Sequence, residues 1–323
     1  MVKTVKSAIS MVCPQCRVRC HAHGKNRNGL RRFLCPDCKK TLTEPHRLTL
    51  GEMYVSEEKA IMVVKLLVEG NSIRSIQRIT GVDQNTIMRI LVLAGDRCEK
   101  LMGRLIVNVP VKDVEADEIW GYVGKKEGHK MPREANNLTI GDQYCFVAIE
   151  RHTKLVLNFA LGRRDTATTQ VFIEGLRAAT SNQSFQITTD GFKPYVPAIC
   201  DTLGDRVSFA QLIKVYRNDP DSEHRYSPGE VVDTEVVPIM GDPDTSRACT
   251  SIVERQNLTI RMQMRRLTRL TNAFSKKWEN LWAAYCLHFA YYNFCRVHRS
   301  LRVTPGMEAG ITDHIWEIKE LLA

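Results

Sequence analysis

The apolar residues of this chain change period near residue 105, and that change decides the class of fold open to it. Upstream they recur every three or four residues: Ile61, Val64, Leu67 and Val68, then Ile73, Ile76 and Ile79, then Ile87, Ile90 and Leu91. Such spacing gathers them on single helix faces. Downstream, Val107, Val109, Val111 and Ile119 fall at even intervals, which reads as a strand over 105–122. Further strand-like runs stand at 143–149 and 155–161. A helix is expected over 166–180 around Val171, Ile173 and Leu176, then a strand at 185–189 running into Asp190-Gly191. A helix near 194–203 and a strand at 207–216 follow. Residues 217–249 are rich in Asp, Pro and Gly and read as an insertion or long functional loop, with a small hairpin around 231–240. A long helix begins near Ser251.

Three consecutive strands are most simply an antiparallel meander, and the β-α-β alternation behind them adds parallel neighbours. The expected class is α/β, with a ribonuclease-H-like mixed sheet core over 105–304, the insertion at about 217–249 and a C-terminal tail at 305–323. At 323 residues the chain has room for two or three domains. No run approaches the length of a membrane span, and Met1–Ser10 has two lysines but no apolar core, so the expected location is the cytoplasm.

Residues 1–50 hold Cys13-Pro-Gln-Cys16 and, after eighteen intervening residues, Cys35-Pro-Asp-Cys38. Two CxxC pairs at this spacing are the pattern of a four-cysteine zinc knuckle. The segment is too poor in apolar residues to fold on its own core, and a structural zinc, worth about 10–16 kcal/mol, can replace one. Cys20, His21 and His23 are spare ligands, and Cys20 could stand in for a knuckle cysteine. A redox pair or free thiols are the alternatives. Lys25, Arg27, Arg31 and Arg32 lie between the pairs with Phe33, a basic set suited to phosphate contact.

Residues 51–104 are expected to be an all-α helix-turn-helix domain. Ser56-Glu-Glu opens one helix and Glu69-Gly70-Asn71 closes it; two short helices follow, broken at Gly81, with Asp83 placed to cap the second. That second helix would present Gln84, Asn85, Thr86 and Arg89 to DNA bases or phosphates. An ordinary helical hairpin would read the same way. The charge distribution favours nucleic acid: residues 1–110 carry 19 Lys and Arg against 9 Asp and Glu, whereas residues 111–323 carry 27 of each. A second basic stretch lies at 254–302, where Arg265, Arg266, Arg269, Lys276 and Lys277 would form a cationic track for DNA or a solvated helix face. Tyr285, Phe289 and Tyr292 are spaced as core residues, and His298 is open to a structural or a site role.

The acids of Val114–Lys126 read either as a strand end with solvated carboxylates or as part of a cation site. Asp117 shares a strand face with Val111 and Ile119, where a carboxylate needs a partner. In a fold of this order, Asp190 ends the neighbouring strand and Glu254 lies in the first turn of the last helix. Two unit charges about 4 Å apart repel by about 4 kcal/mol at an effective dielectric near 20, so three acids there require counter-ions or protons. Oxygen ligands favour magnesium or manganese, and two such ions serve phosphodiester chemistry. Asp190-Gly191 could instead be a hairpin turn, and Glu254 could close a capping box with Ser251. Asn257 and Arg261 share the helix face of Glu254, which suits a phosphate site. Glu115, Glu118, Asp201 and Asp205 rank as supporting or surface acids.

The segments DEIWGYVGKK, TDGFKPY and IVERQNLTIRMQMRRLTRLTNAFSKK resemble those of insertion-sequence transposases of the IS-one type, in the DDE (Asp-Asp-Glu) superfamily. The tail around Tyr292-Asn293, Arg296, His298 and Thr304-Pro305 resembles the end of many integrase-like cores. The resemblance covers nearly the whole chain, from zinc knuckle through helix-turn-helix to ribonuclease-H-like core. It implies catalytic acids at Asp117, Asp190 and Glu254, a basic residue at Arg261, and magnesium- or manganese-dependent DNA cleavage and strand transfer. It also implies DNA as the partner and a homodimer or larger assembly to hold two ends. GHKMPREAN, before residue 140, has no counterpart in the pattern. A DNA-binding regulator without catalysis and a plain ribonuclease-H-like nuclease are the rival readings. The acid triad on a separate neutral domain speaks against the first, and the two N-terminal DNA modules against the second.

Overall fold

The structure is a computed structural model that describes residues 11–26, 29–44, 53–217 and 230–322. Arg27 and residues 218–229 of the proposed insertion lie outside them. The chain divides into two compact units, residues 1–60 and 61–323.

The first unit is a three-stranded antiparallel sheet, β1 (His21–Lys25), β2 (Arg31–Leu34) and β3 (Thr41–Thr43), in that order. Its buried core is Cys13, Cys20, Phe33 and Cys35. One aromatic ring and three thiols bury little apolar area, so the fold needs a further cross-link.

The second unit opens with α1 (Glu57–Val68), which crosses the boundary, α2 (Ile73–Thr80) and α3 (Gln84–Leu105). Ser72 caps α2 by accepting from Ser75 N–H at 3.1 Å, and Asp83 caps α3 by accepting from Asn85 N–H at 2.9 Å. Gly81 ends α2 with φ 68°, a left-handed turn that a side chain disfavours. Ile76, Ile87, Ile90 and Leu91 are buried, whereas Ile79 faces solvent. Where the alternation suggested a strand from residue 105, the helix runs on to Leu105 and the sheet starts only at Asp113. Asn108, with φ 56°, and Pro110, which lacks an N–H, break the extended run between them. Val109 and Val111 still pack inward while Val107 is exposed.

Six strands form the main sheet: β4 (Asp113–Val123), β5 (Gly141–Glu150), β6 (Val156–Gly162), β7 (Phe185–Asp190), β8 (Val207–Arg217) and β9 (Glu230–Met240). Their order is β6-β5-β4-β7-β8-β9. β4, β5 and β6 are the antiparallel meander, β7 and β8 add parallel strands beside β4, and β9 returns antiparallel to β8. The later part of the supposed insertion is therefore a full edge strand. GHKMPREAN forms two tight turns held by charge: Lys125 pairs with Glu134 at 2.9 Å and Lys130 with Glu127 at 3.0 Å.

Helices cover both faces of the sheet. On one, α4 (Thr166–Ala179) and α5 (Tyr195–Leu203) close over Phe146, Phe172, Phe192 and Tyr195, whose rings meet edge-on or tilted. On the other lie α6 (Ser251–Gln263) and α7 (Trp278–Ala290), where Phe159 packs on Trp282 and Phe289. Tyr285, Phe289 and Tyr292 are buried there. Buried Asn293 pairs with both backbone groups of Val156 at 3.0 and 2.9 Å, which satisfies part of the open β6 edge. α3 crosses α7 at Gly95, where a Cβ would stand 2.5 Å from Ala283 Cα. Only glycine allows that approach.

Candidate active site

The parallel pairing of β4 with β7 ends at Ala116 opposite Thr189. Beyond it β7 stops at Asp190 while β4 continues, and a gap opens at the strand ends. Open α/β sheets bind ligands in such gaps. Asp117, Asp190 and Glu254 all line this crevice, which has a volume of about 800 Å³. Asp117 points toward α6, where Asn257 Nδ2 donates to its Oδ2 at 2.8 Å. Asp190 turns back on its own loop and accepts from Phe192 N–H at 3.0 Å.

The tightest cluster is Asp117, Glu118 and Asp190, each offering an oxygen within 4.8 Å of the others. The sequence ranks Glu118 only as a supporting or surface acid, and neighbouring strand residues face opposite ways. Both residues pass the end of β7, however, so each can reach the gap from its own face. Glu118 Oε2 accepts from the Tyr195 hydroxyl at 3.2 Å, and Oε1 is paired with Arg164. Burial first, then repulsion from Glu118 and Asp190, pushes Asp117 up to about 7. Burial and then Asp190 likewise raise Glu118. The oxygen-only donor set and its mutual repulsion fit a hard divalent cation such as magnesium.

Glu254 lines the crevice but stands apart from the three clustered acids. Its Oε1 is paired with Lys214 of β8 and accepts from Thr250 Oγ1 at 2.6 Å. The capping box with Ser251 does not form. Thr250 is the N-cap residue, and the open N–H groups of Ile252 and Val253 go to Glu115 Oε2 at 2.8 and 3.1 Å. Glu115, buried in β4, thus ties the start of α6 to the strand that carries Asp117. Burial raises its carboxyl and these two N–H groups oppose the rise.

The other predicted residues fall in several places. Arg261 reaches the carbonyls of Trp120 and Leu267 at 3.3 and 3.4 Å, bracing β4 rather than entering the cluster. Arg266 is turned inward on Ser275 Oγ at 3.0 Å and Met88 Sδ at 3.3 Å, and burial pushes it down to about 10. This removes it from an exposed cationic track, while Arg265 and Arg269 stay exposed. Gln84, Asn85 and Arg89 are exposed on the first turns of α3, with Thr86 half-buried. A second groove, of about 730 Å³, is lined by Gln84, Asn85, Arg265, Arg266 and Lys276 among others, and shares no residue with the carboxylate crevice.

In the first unit Cys13, Cys16, Cys35 and Cys38 bring their sulphurs within 4.8 Å of one another, as in a zinc knuckle. Cys13 and Cys38 Sγ are 3.7 Å apart. Zinc–sulphur bonds of about 2.3 Å in a tetrahedron place sulphurs about 3.8 Å apart, so these four residues can hold zinc. Donation by Cys16 N–H is the main pull that brings Cys13 down to about 7, while neighbouring thiols, Cys38 first, push Cys16 up to about 12. Cys20 is buried outside the set, and His21 and His23 are exposed. Arg31 pairs with Glu44 at 3.0 Å and Arg32 is half-buried beside it.

Among the described residues, no helix is long and apolar enough to cross a membrane. No protein-family model and no curated protein matches the chain. Among solved structures, it is similar to a piggyBac transposase in a synaptic complex with hairpin DNA, at 11% identity and a TM-score of 0.42, over 86% of this chain and 71% of that one. A likeness at this level carries nothing about chemistry.

Proposed function

We propose that the chain is a DDE-type DNA transposase of the IS-one kind, built on a ribonuclease-H-like core, that binds the ends of its own element and cuts and joins DNA there. One observation carries the reading: Asp117, Asp190 and Glu254, 73 and 64 residues apart in sequence, line one crevice where β4 outruns β7. The segments around these acids are the ones that resemble the transposase family.

In this reading Asp117 and Asp190 hold the divalent ions with help from Glu118, and Glu254 completes the set once released from Lys214. When bound, magnesium or manganese supplies a Lewis acid for the scissile phosphate. Asn257 holds Asp117 in place by its amide, and Lys193 and Lys214 at the rim receive the negative backbone. Gln84, Asn85, Thr86 and Arg89 read the element end, Arg265 contacts its phosphates, and the zinc unit adds Arg31 and Arg32. Holding two ends calls for a homodimer or larger assembly, acting on DNA in the cytoplasm.

The test uses the full chain with magnesium, a fragment ending in the terminal repeats that flank its gene, and a plasmid. The expected product is the fragment joined to the plasmid through its 3′ end. Hydrolysis of any DNA without joining would reduce the protein to a nuclease, and no reaction at all would overturn the reading.

A further inference from the structure

Resting on that reading, we propose that Arg164 is the exchangeable counter-ion of the carboxylate cluster, competing with the divalent cation and passing to a DNA phosphate when the cation binds. Arg164 lies in the link between β6 and α4. Its Nε is paired with Glu118 Oε1 and its Nη2 stands 3.5 Å from Asp190 Oδ2. Its guanidinium lies 4.0 Å over the ring of Phe192. One planar cation therefore bridges two of the three clustered acids, using oxygens that a metal ion would need. The guanidinium and a metal ion cannot hold the same oxygens together.

The surroundings show which partner yields. Glu118 is nearly closed to solvent and fixed from its other side by Tyr195, which is fully buried. Arg164 keeps 40% of its side chain exposed. The acid is anchored and the base is the movable part. Stacking on Phe192 is tolerant of rotation in the ring plane, so the guanidinium can turn without losing that contact. Arg164 already lines the crevice with Lys193 and Lys214, so a guanidinium released from the acids stays beside them. A planar, five-donor group there suits a phosphodiester. By linkage, cation binding and DNA phosphate binding then strengthen each other.

The test measures Mn²⁺ binding to the full chain by the electron paramagnetic resonance of the free ion, with and without a DNA duplex. Without DNA, Arg164→Gln should bind Mn²⁺ about fivefold or more tightly than wild type, because one repelling charge and one competitor are gone. Arg164→Lys, which keeps the charge, should return toward wild type. Duplex DNA should tighten Mn²⁺ binding in wild type and lose most of that effect in Arg164→Gln. Phe192→Leu, which removes the platform but no charge, serves if Arg164→Gln fails to fold, and should shift Mn²⁺ affinity in the same direction by less. Wild-type binding that Arg164→Gln leaves unchanged or weakens would overturn this proposal and leave the metal centre standing. No Mn²⁺ binding by either protein would overturn both.

Discussion

Removing the Glu115 carboxylate should unseat α6 without touching any group that meets DNA. Glu115 Oε2 accepts the N–H groups of both Ile252 and Val253, and Val253 is fully buried. Glu115→Ala leaves two donors without a partner, each worth about 1–3 kcal/mol, and a void where the side chain stood. The expected loss is about 3–5 kcal/mol of unfolding free energy in urea. Glu115→Gln keeps an acceptor oxygen and loses only the charge at the helix N-terminus, worth about 1 kcal/mol. Activity should follow geometry, because α6 carries Asn257, which holds Asp117. Magnesium-dependent nicking should fall steeply in Glu115→Ala and mildly in Glu115→Gln. Equal stabilities for the two variants, both within about 1 kcal/mol of wild type, would refute the argument that this carboxylate seats the helix.

Other consequences follow from separate parts of the molecule. The first unit should carry one zinc, and Cys35→Ser should lose it and weaken binding to element ends; elemental analysis of the reduced protein checks this. Asn85→Ala or Arg89→Ala should weaken binding to the element end by about 1–3 kcal/mol relative to random DNA if they touch base edges, as a gel-shift assay at fixed salt would show. His288 is buried with neither ring nitrogen bonded, and burial pushes it down to about 3. The folded state then resists a proton that the unfolded chain accepts below about 6.5, so stability is lost as pH falls from that value toward 3. In acid titrations followed by thermal unfolding, His288→Phe should flatten that slope relative to wild type.

The periods of the apolar residues were enough to place β5, β6, α4, β7, α5 and β8, since period two and period 3.6 expose different faces, whereas β9 read as part of an insertion. Gly81 and Asp83 were legible for the same local reason: a left-handed turn and a cap are decided within four residues. Features that depend on where strands end were not legible. Residues 105–112 alternate like a strand, yet α3 consumes the first of them and Asn108 and Pro110 break the rest. Glu118 joins the cluster only because β7 stops beside it, and its partner Arg164 lies 46 residues away. Glu115 reads as a spare acid until α6, 137 residues on, is seen to start on it. Arg266 reads as one more cation in a basic run, and only the fold shows it turned toward Met88.

The most direct test of the account separates chemistry from binding at the carboxylates. Asp117→Asn, Asp190→Asn and Glu254→Gln keep side-chain shape and remove charge. Each is assayed for magnesium-dependent nicking of a labelled element end, beside a gel shift at the same salt. Nicking should collapse in all three. DNA binding should hold level or tighten slightly, because each change removes negative charge from the crevice. Near-normal nicking by Glu254→Gln would move the third ligand elsewhere, with Glu118 the nearest acid to the other two. Near-normal nicking by Asp117→Asn or Asp190→Asn would contradict the central claim.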